Sequence, residues 1–339
     1  MKRSITSLIL WVTLGMPLPL PAEEIVVNAV GDVMLAGRWA PAIRESGYET
    51  PFNGVASELR AADITIANLE SPIANSGVEF TGKKFRFRAE PEVAGALKRS
   101  GINLVTLANN HSMDFGKDAL AETLKHLDAA GVTWIGAGEN LAAARKVALY
   151  TIRGHKIAFL GYSLTQPPEF FAGSTRAGTA PGYEKIYTDD IRRARLQADH
   201  VIVSFHWGTE GKKGIQPYQR AAAHKAIEAG ADVIIGHHPH VLRGIERYKA
   251  GIVFYSLGNF TFASKGRSAD TSAMLRLRLG DGIREAELLP LDINYRKVGF
   301  QPQFLTGERA AAVIRQLNTL SKPLNTRIQN QDGRYLVSF

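Results

Sequence analysis

Between residues 25 and 257 the chain repeats one pattern, in which a short β-branched run is followed by a stretch with helical spacing. Nearly every run ends on polar side chains able to bind a metal or move a proton. Such alternation specifies an α/β protein with helices packed on sheet. The strand-like runs are 25–33, 63–68, 102–108, 133–136, 156–162, 200–205, 232–236 and 252–257. Helical spacing marks 51–62, 91–100, 117–130, 189–198 and 217–229; in the third of these Leu120, Leu124 and Leu127 share a face before Gly131 stops the turn. In an open α/β sheet the carboxyl ends of the strands line one edge, where ligands bind, so side chains far apart in sequence can meet there. Further along, 165–183 is rich in Pro, Gly, Ser and Thr and predicts a long loop. Residues 274–279 and 285–290 read as a hairpin, and 308–320 as a helix before a polar tail.

The chain has 339 residues, 45% of them hydrophobic and 22% charged, which excludes collagen, coiled coil and a multi-span membrane protein. A formal net charge of +9 favours acidic partners. With no cysteine there is no disulfide framework, zinc finger or cysteine nucleophile. Lys2 and Arg3, an apolar stretch over 8–16 and a Pro-rich run ending at Ala22 read as a secretory signal peptide. The apolar stretch is shorter than the roughly 20 residues a membrane span needs; an uncleaved anchor is the other reading. The expected organisation is a signal peptide over 1–22, a main domain over 23–300 and a helix and tail over 301–339 on the same domain, in a periplasmic or secreted protein.

The polar clusters are Gly31-Asp32, Asn68-Leu69-Glu70, Asn109-Asn110-His111 with Asp114, His206-Trp207-Gly208-Thr209-Glu210, Gly236-His237-His238-Pro239-His240, and Gly258-Asn259. A single histidine is more often a core residue than a ligand. Here five of the nine, His111, His206, His237, His238 and His240, fall in such clusters, and the joint pattern predicts a metal site. Carboxylate, imidazole and amide oxygen suit manganese, iron or zinc. In His238-Pro239-His240 a spacing of two is expected to put both rings on one side of an extended segment. Asn110 can give its amide oxygen to a metal while His111 stays free as a general acid or an electrostatic clamp. Asp114 either orients His111 or caps the helix that follows. Gly136 to Asn140 reads as a plain strand-to-helix turn. The segment 83–88, K-K-F-R-F-R, is either an alternating strand with a solvated basic face or a polyanion-binding strand presenting Lys84, Arg86 and Arg88. No helix-turn-helix or RNA-binding signature accompanies it, so nucleic acid is not an expected partner.

Taken in order, G-D-V-M-L, N-L-E-S-P-I, F-R-F-R-A-E-P-E, L-A-N-N-H-S-M-D-F-G, G-A-G-E-N, F-H-W-G-T-E, G-H-H-P-H-V and Y-S-L-G-N-F resemble the CapA family of poly-γ-glutamate capsule synthesis proteins. The resemblance covers roughly residues 25–300. That family is similar in turn to the calcineurin-like metallophosphoesterases. The implied fold is a four-layer α/β sandwich of two mixed sheets flanked by helices, with one or two divalent ions at the strand carboxyl ends. By the same resemblance Asp32 matches the first metal-binding aspartate and Glu70 stands at the bridging aspartate. Asn110 and His111 match the Asn-His pair, His206 the next histidine, and His238 and His240 the terminal His-x-His. His237 becomes a neighbour of the ligands, and Glu210, Asn68 and Asn259 lie near the site. The superfamily's first motif is Asp-x-His, but here it is Asp32-Val33-Met34, and a thioether is a poor ligand for a hard divalent ion.

The implied function is a metal-dependent hydrolase or accessory protein in synthesis, export or processing of poly-γ-glutamate or a similar anionic envelope polymer. A membrane synthase complex is the implied partner. Two other readings stand beside it: a non-catalytic polymer-binding or export subunit, and a general metal-dependent phosphoesterase.

Overall fold

The computed structural model describes residues 24–165, 167–262, 270–299 and 301–338; the signal peptide read in 1–22 lies outside them. Strands β1 (Ile25–Met34), β2 (Ile64–Leu69), β3 (Leu104–Thr106) and β4 (Thr133–Ile135) alternate with helices α1 (Ala40–Ser46), α2 (Ala56–Ala61), α3 (Glu92–Ser100) and α4 (Gly116–Ala130). There follow β5 (Ala137–Gly138), α5 (Leu141–Ala144), β6 (Ala148–Ile152), β7 (His155–Ser163) and β8 (Gly178–Thr179). Next are α6 (Glu184–Arg195), β9 (His200–His206), α7 (Pro217–Ala229), β10 (Val233–His237), β11 (Ile245–Tyr248), β12 (Gly251–Phe254) and β13 (Asn259–Phe262). The chain ends with β14 (Thr271–Leu279), β15 (Ile283–Asp292), α8 (Tyr295–Val298), β16 (Gln303–Phe304), α9 (Gly307–Ser321), β17 (Ile328–Gln331) and β18 (Arg334–Val337).

Among the described residues two large mixed sheets result, with β5 and β8 pairing separately as a two-stranded ribbon. One runs β17-β18-β15-β14-β1-β2-β3-β4, with β13 beside β1 and β16 beside β15; the other runs β11-β12-β10-β9-β7-β6. Around the centre of each, β1-β2-β3-β4 and β12-β10-β9-β7 are parallel. Strands covered on both faces are near-continuous apolar runs, and β2 (I-T-I-A-N-L) is buried along its whole length.

Three apolar clusters define the layers. Ile25, Val27 and Ile66 of the first sheet meet Phe159, Ile202 and Ile235 of the second in the central cluster. Val33, Val105 and Leu69 pack outward under Val93 and Leu97 of α3 and Leu120 and Leu127 of α4. Val203, Phe205 and Val253 pack under Ile191 of α6 and Ala223 and Ile227 of α7. The order is therefore helix, sheet, sheet, helix, the four-layer sandwich of two mixed sheets flanked by helices that the resemblance implied.

Local chemistry sets the helix ends. Gly131 and Gly230 close α4 and α7 at φ 68° and 118°, a left-handed cap that costs glycine nothing. Pro217 opens α7 behind a reciprocal Gln216–Gln219 capping box.

Three expectations are corrected. Residues 83–88 form no strand, since their basic side chains turn to partners in and around their own loop. The polar tail instead contains the hairpin β17-β18, whose register places Leu336 opposite Glu287 at the edge of the first sheet. His238 and His240 do not lie on an extended segment; both have positive φ, 91° and 57°.

Candidate metal centre

All of the strand-end clusters converge at one end of the two sheets. Asp32 lies two residues from the end of β1, and parallel register puts it opposite both Asn68 of β2 and Asn259 of β13. The approach is close because residue 31 is glycine: a Cβ there would lie 1.9 Å from Gly258 O. Without one, Asp32 N donates to that carbonyl at 3.0 Å. From the second sheet, His206 ends β9 and His237 ends β10 as register partners. The chain then turns through His238 and His240. A left-handed conformation at two non-glycine residues is strained and persists only where the surroundings impose it.

Among the described residues, side-chain nitrogens and oxygens form three overlapping donor groups, two of which share Glu70. Glu70, His206 and His238 offer donor atoms within 4.8 Å of one another, and so do Asp32, Glu70 and His240. Asn110 Oδ1, 2.8 Å from His206 Nε2, extends the first group. Glu70 Oε1 is 3.4 Å from His206 Nε2 and 3.9 Å from His240 Nε2. It and His238 Nδ1 are buried with no hydrogen-bond partner among the described residues. Buried polar atoms rarely stay unpaired, and two such atoms on residues of one nitrogen and oxygen donor group fit a divalent cation.

Around these donors a network fixes orientation. Asn68 Nδ2 donates to Asp32 Oδ1 at 2.8 Å and to Glu70 Oε2 at 3.2 Å, while Asn68 Oδ1 accepts from Asn109 Nδ2 at 3.0 Å. His240 Nδ1 lies 3.0 Å from Asp32 Oδ2 and 2.9 Å from Asn259 Oδ1. His237 Nδ1 lies 3.2 Å from Asp32 Oδ1 but off the hydrogen-bond line. Burial pushes the Asp32 carboxyl up, but His237 and His240 outweigh it and hold the group well below the usual carboxylate range. Burial and then the Asp32 charge push Glu70 well up. A cation between the two carboxylates would remove that repulsion.

His111 stands at the rim. Its Nδ1 is 2.6 Å from Asp114 Oδ2, which also accepts from Phe87 N at 2.9 Å. Lys83 Nζ donates to Asp114 Oδ1 at 2.6 Å and to the Asn110 carbonyl. Burial pulls His111 below the ordinary histidine range, against the opposing effect of Asp114. Of the two readings of Asp114, the structure has it orient His111: helix α4 starts at Gly116 with Phe115 at its cap and no side-chain cap bond.

The residues that meet here are thus Asp32, Asn68, Glu70, Asn110, His111, Asp114, His206, Glu210, His237, His238, His240 and Asn259. Lys84, Arg86 and Arg88 do not join them. Lys84 lies over the Phe85 ring, Arg86 donates to Glu79 at 2.7 Å, and Arg88 lies over the Phe115 ring. Met34 is 1% exposed and packs in the outer apolar cluster. Two contributors escaped the sequence reading of the site. Lys83 begins the basic segment, but alternation gives no sign of which cation turns inward. Asn109 sits within the Asn-Asn-His motif, where its support of Asn68 is not visible.

Comparison with known proteins identifies related chains. Residues 26–264 match the family described as bacterial capsule synthesis protein PGA_cap. The chain is 32% identical over 283 residues to the capsule biosynthesis protein CapA of Bacillus anthracis, covering 80% of this chain and 68% of that one. It is 33% identical over 276 residues to the PGA biosynthesis protein CapA of Bacillus subtilis (strain 168), covering 80% and 72%. Among solved structures, a hypothetical protein from Thermus thermophilus matches at TM-score 0.50 and 15% identity, covering 79% of this chain and 99% of that one, a likeness of fold alone.

Proposed function

The chain belongs to the bacterial capsule synthesis protein PGA_cap family, and from that premise we propose that it is a metal-dependent hydrolase of poly-γ-glutamate or a similar anionic envelope polymer. It acts in the periplasm or outside the cell after removal of residues 1–22. The sharing of the buried Glu70 between two donor groups carries this reading, because one carboxylate serving two positions is the arrangement of a two-ion hydrolytic centre.

Glu70, Asn110, His206 and His238 would hold one ion, and Asp32, Glu70 and His240 the other. Manganese, iron or zinc suits these nitrogen and oxygen donors. A divalent ion there supplies Lewis-acid polarisation of the scissile carbonyl. The chain's own residues do the rest. Asn68 and Asn259 orient the carboxylate and imidazole donors. Asp114 holds His111 by Nδ1, leaving Nε2 to move a proton at the leaving nitrogen.

The test is release of new amino ends from a γ-glutamyl polymer supplied with Mn2+. Turnover by the native protein that disappears in His238→Ala and Asn110→Ala, with folding intact, is expected; equal turnover in both variants contradicts the mechanism. One observation favours a second reading, a non-catalytic polymer-binding or export subunit of a membrane synthase: Met34 faces the core where the superfamily has a ligand. Polymer binding that survives chelation and weakens with salt, without turnover, is what that reading requires.

A further inference from the structure

We propose that Glu210 is a ligand of the metal centre, supplying the donor that Met34 does not, and that Arg243 is the positioning residue that holds it there. The inference rests on the metal-binding reading above and deepens it. The donor group around Asp32, Glu70 and His240 is one short of the group that includes Asn110. A third group supplies the candidate: Glu210, His238 and His240 offer donor atoms within 4.8 Å of one another. His238 and His240 are buried and half-buried, whereas Glu210 is exposed. Its carboxylate therefore approaches the histidines from the open side. His238 belongs to the same group, and its buried Nδ1 has no hydrogen-bond partner among the described residues.

The loop that carries Glu210 is built rather than floppy. Trp207, fully buried, anchors its start by donating Nε1 to Tyr255 O at 3.0 Å. Gly211 N donates to Pro239 O at 2.8 Å, tying the loop to the turn between the two histidines. Arg243, 1% exposed, brackets Glu210 from below: Nη2 donates to Thr209 O at 3.0 Å and Nε to Lys212 O at 2.8 Å, while Nη1 donates to Gln219 Oε1 at 2.7 Å. Gly208, at φ 95°, makes room for it, since a Cβ there would lie 2.6 Å from Arg243 Nη1. All three of these acceptors are neutral. Burial pulls the guanidinium down to about 10, so the charge is kept at a cost. Fixing the two carbonyls that flank the Glu210 loop tip is the return.

The test is Mn2+ titration of the purified chain by calorimetry and by its electron paramagnetic resonance signal. Native protein is compared with Glu210→Gln and with Arg243→Met, all with folding checked by circular dichroism. Glu210→Gln alters an exposed side chain and leaves the fold intact. It is expected to weaken one Mn2+ equivalent at least about tenfold while the other is unchanged. Arg243→Met, if folded, weakens the same equivalent. Native protein that binds Mn2+ with an isotherm unaltered in Glu210→Gln overturns the ligand role and leaves the metal reading standing. Native protein that binds no Mn2+ overturns both.

Discussion

His240 Nδ1 lies 3.0 Å from Asp32 Oδ2, joining the turn after β10 in one sheet to β1 of the other. The contact crosses the sandwich between residues 208 positions apart. It ties the geometry of the centre to the packing of the two sheets, and the expected effects of substitution follow from that coupling.

Gly31→Ala tests the closeness of β1 to the turn before β13. The added methyl would lie 1.9 Å from Gly258 O, a backbone atom with no rotamer to escape into. A loss of about 3 kcal/mol in unfolding free energy is expected from urea titration, accompanied by weaker metal binding as Asp32 shifts. Native-like stability would mean that the strands part without cost.

Asn68→Ala removes the donor shared by Asp32 and Glu70. Both carboxylates are fully buried, and a buried hydrogen bond to a charged group is worth about 2–3 kcal/mol. The metal-free protein should lose about that much stability, and metal affinity should fall about tenfold or more because the donors are no longer oriented. Unchanged affinity would show that the ligands hold their places alone.

Asp114→Asn separates orientation from ligation. It alters the partner of His111 Nδ1 and of Lys83 while leaving every proposed ligand in place. Metal content should match the native protein, and turnover should fall about 100-fold or more. Turnover at the native rate would remove His111 from the chemistry.

The metal-free protein should show opposed pH limbs. Burial and then His238 pull His206 far down, and burial and then His240 pull His238 from 6.5 to about 3. The unfolded chain takes up those protons first, so this stabilisation is full above 6.5 and is lost as pH falls. His240 runs the other way: burial lowers it, but Glu70 and Asp32 outweigh burial and raise it to about 9. Its contribution is full below 6.5 and is lost as pH rises through about 9. Urea midpoints should therefore decline on both sides of neutrality, and His240→Gln should make the alkaline decline shallower, leaving the part that comes from the raised Glu70 carboxyl. An alkaline limb as steep in His240→Gln as in the native protein contradicts the assignment.

Much of this centre could be read along the sequence because parallel α/β topology collects strand ends. Asp32, Glu70, Asn110, His206 and His238 each follow a β-branched run, and the alternation alone brings them to one edge. Backbone conformation was not legible: nothing in H-H-P-H announces that His238 and His240 take positive φ. Nor was the path of irregular segments, so Lys84, Arg86 and Arg88 were expected at the site while Lys83 reaches it. The hairpin of β17 and β18 was missed because I-Q-N-Q and R-Y-L-V carry too few apolar residues to stand out from a tail. Arg243 was invisible for a different reason, since its role lies in two carbonyls of a loop that precedes it by about 30 residues.

Glu70 would join the two ion positions, and the metal content of the purified protein reads that sharing. Native protein purified without chelator should carry about two equivalents of divalent metal. His206→Ala should lose one, and Glu70→Ala should lose both, because Glu70 is the residue common to the group with His206 and the group with Asp32. Native protein without metal even when divalent ions are supplied, or Glu70→Ala retaining its full content, would contradict the account.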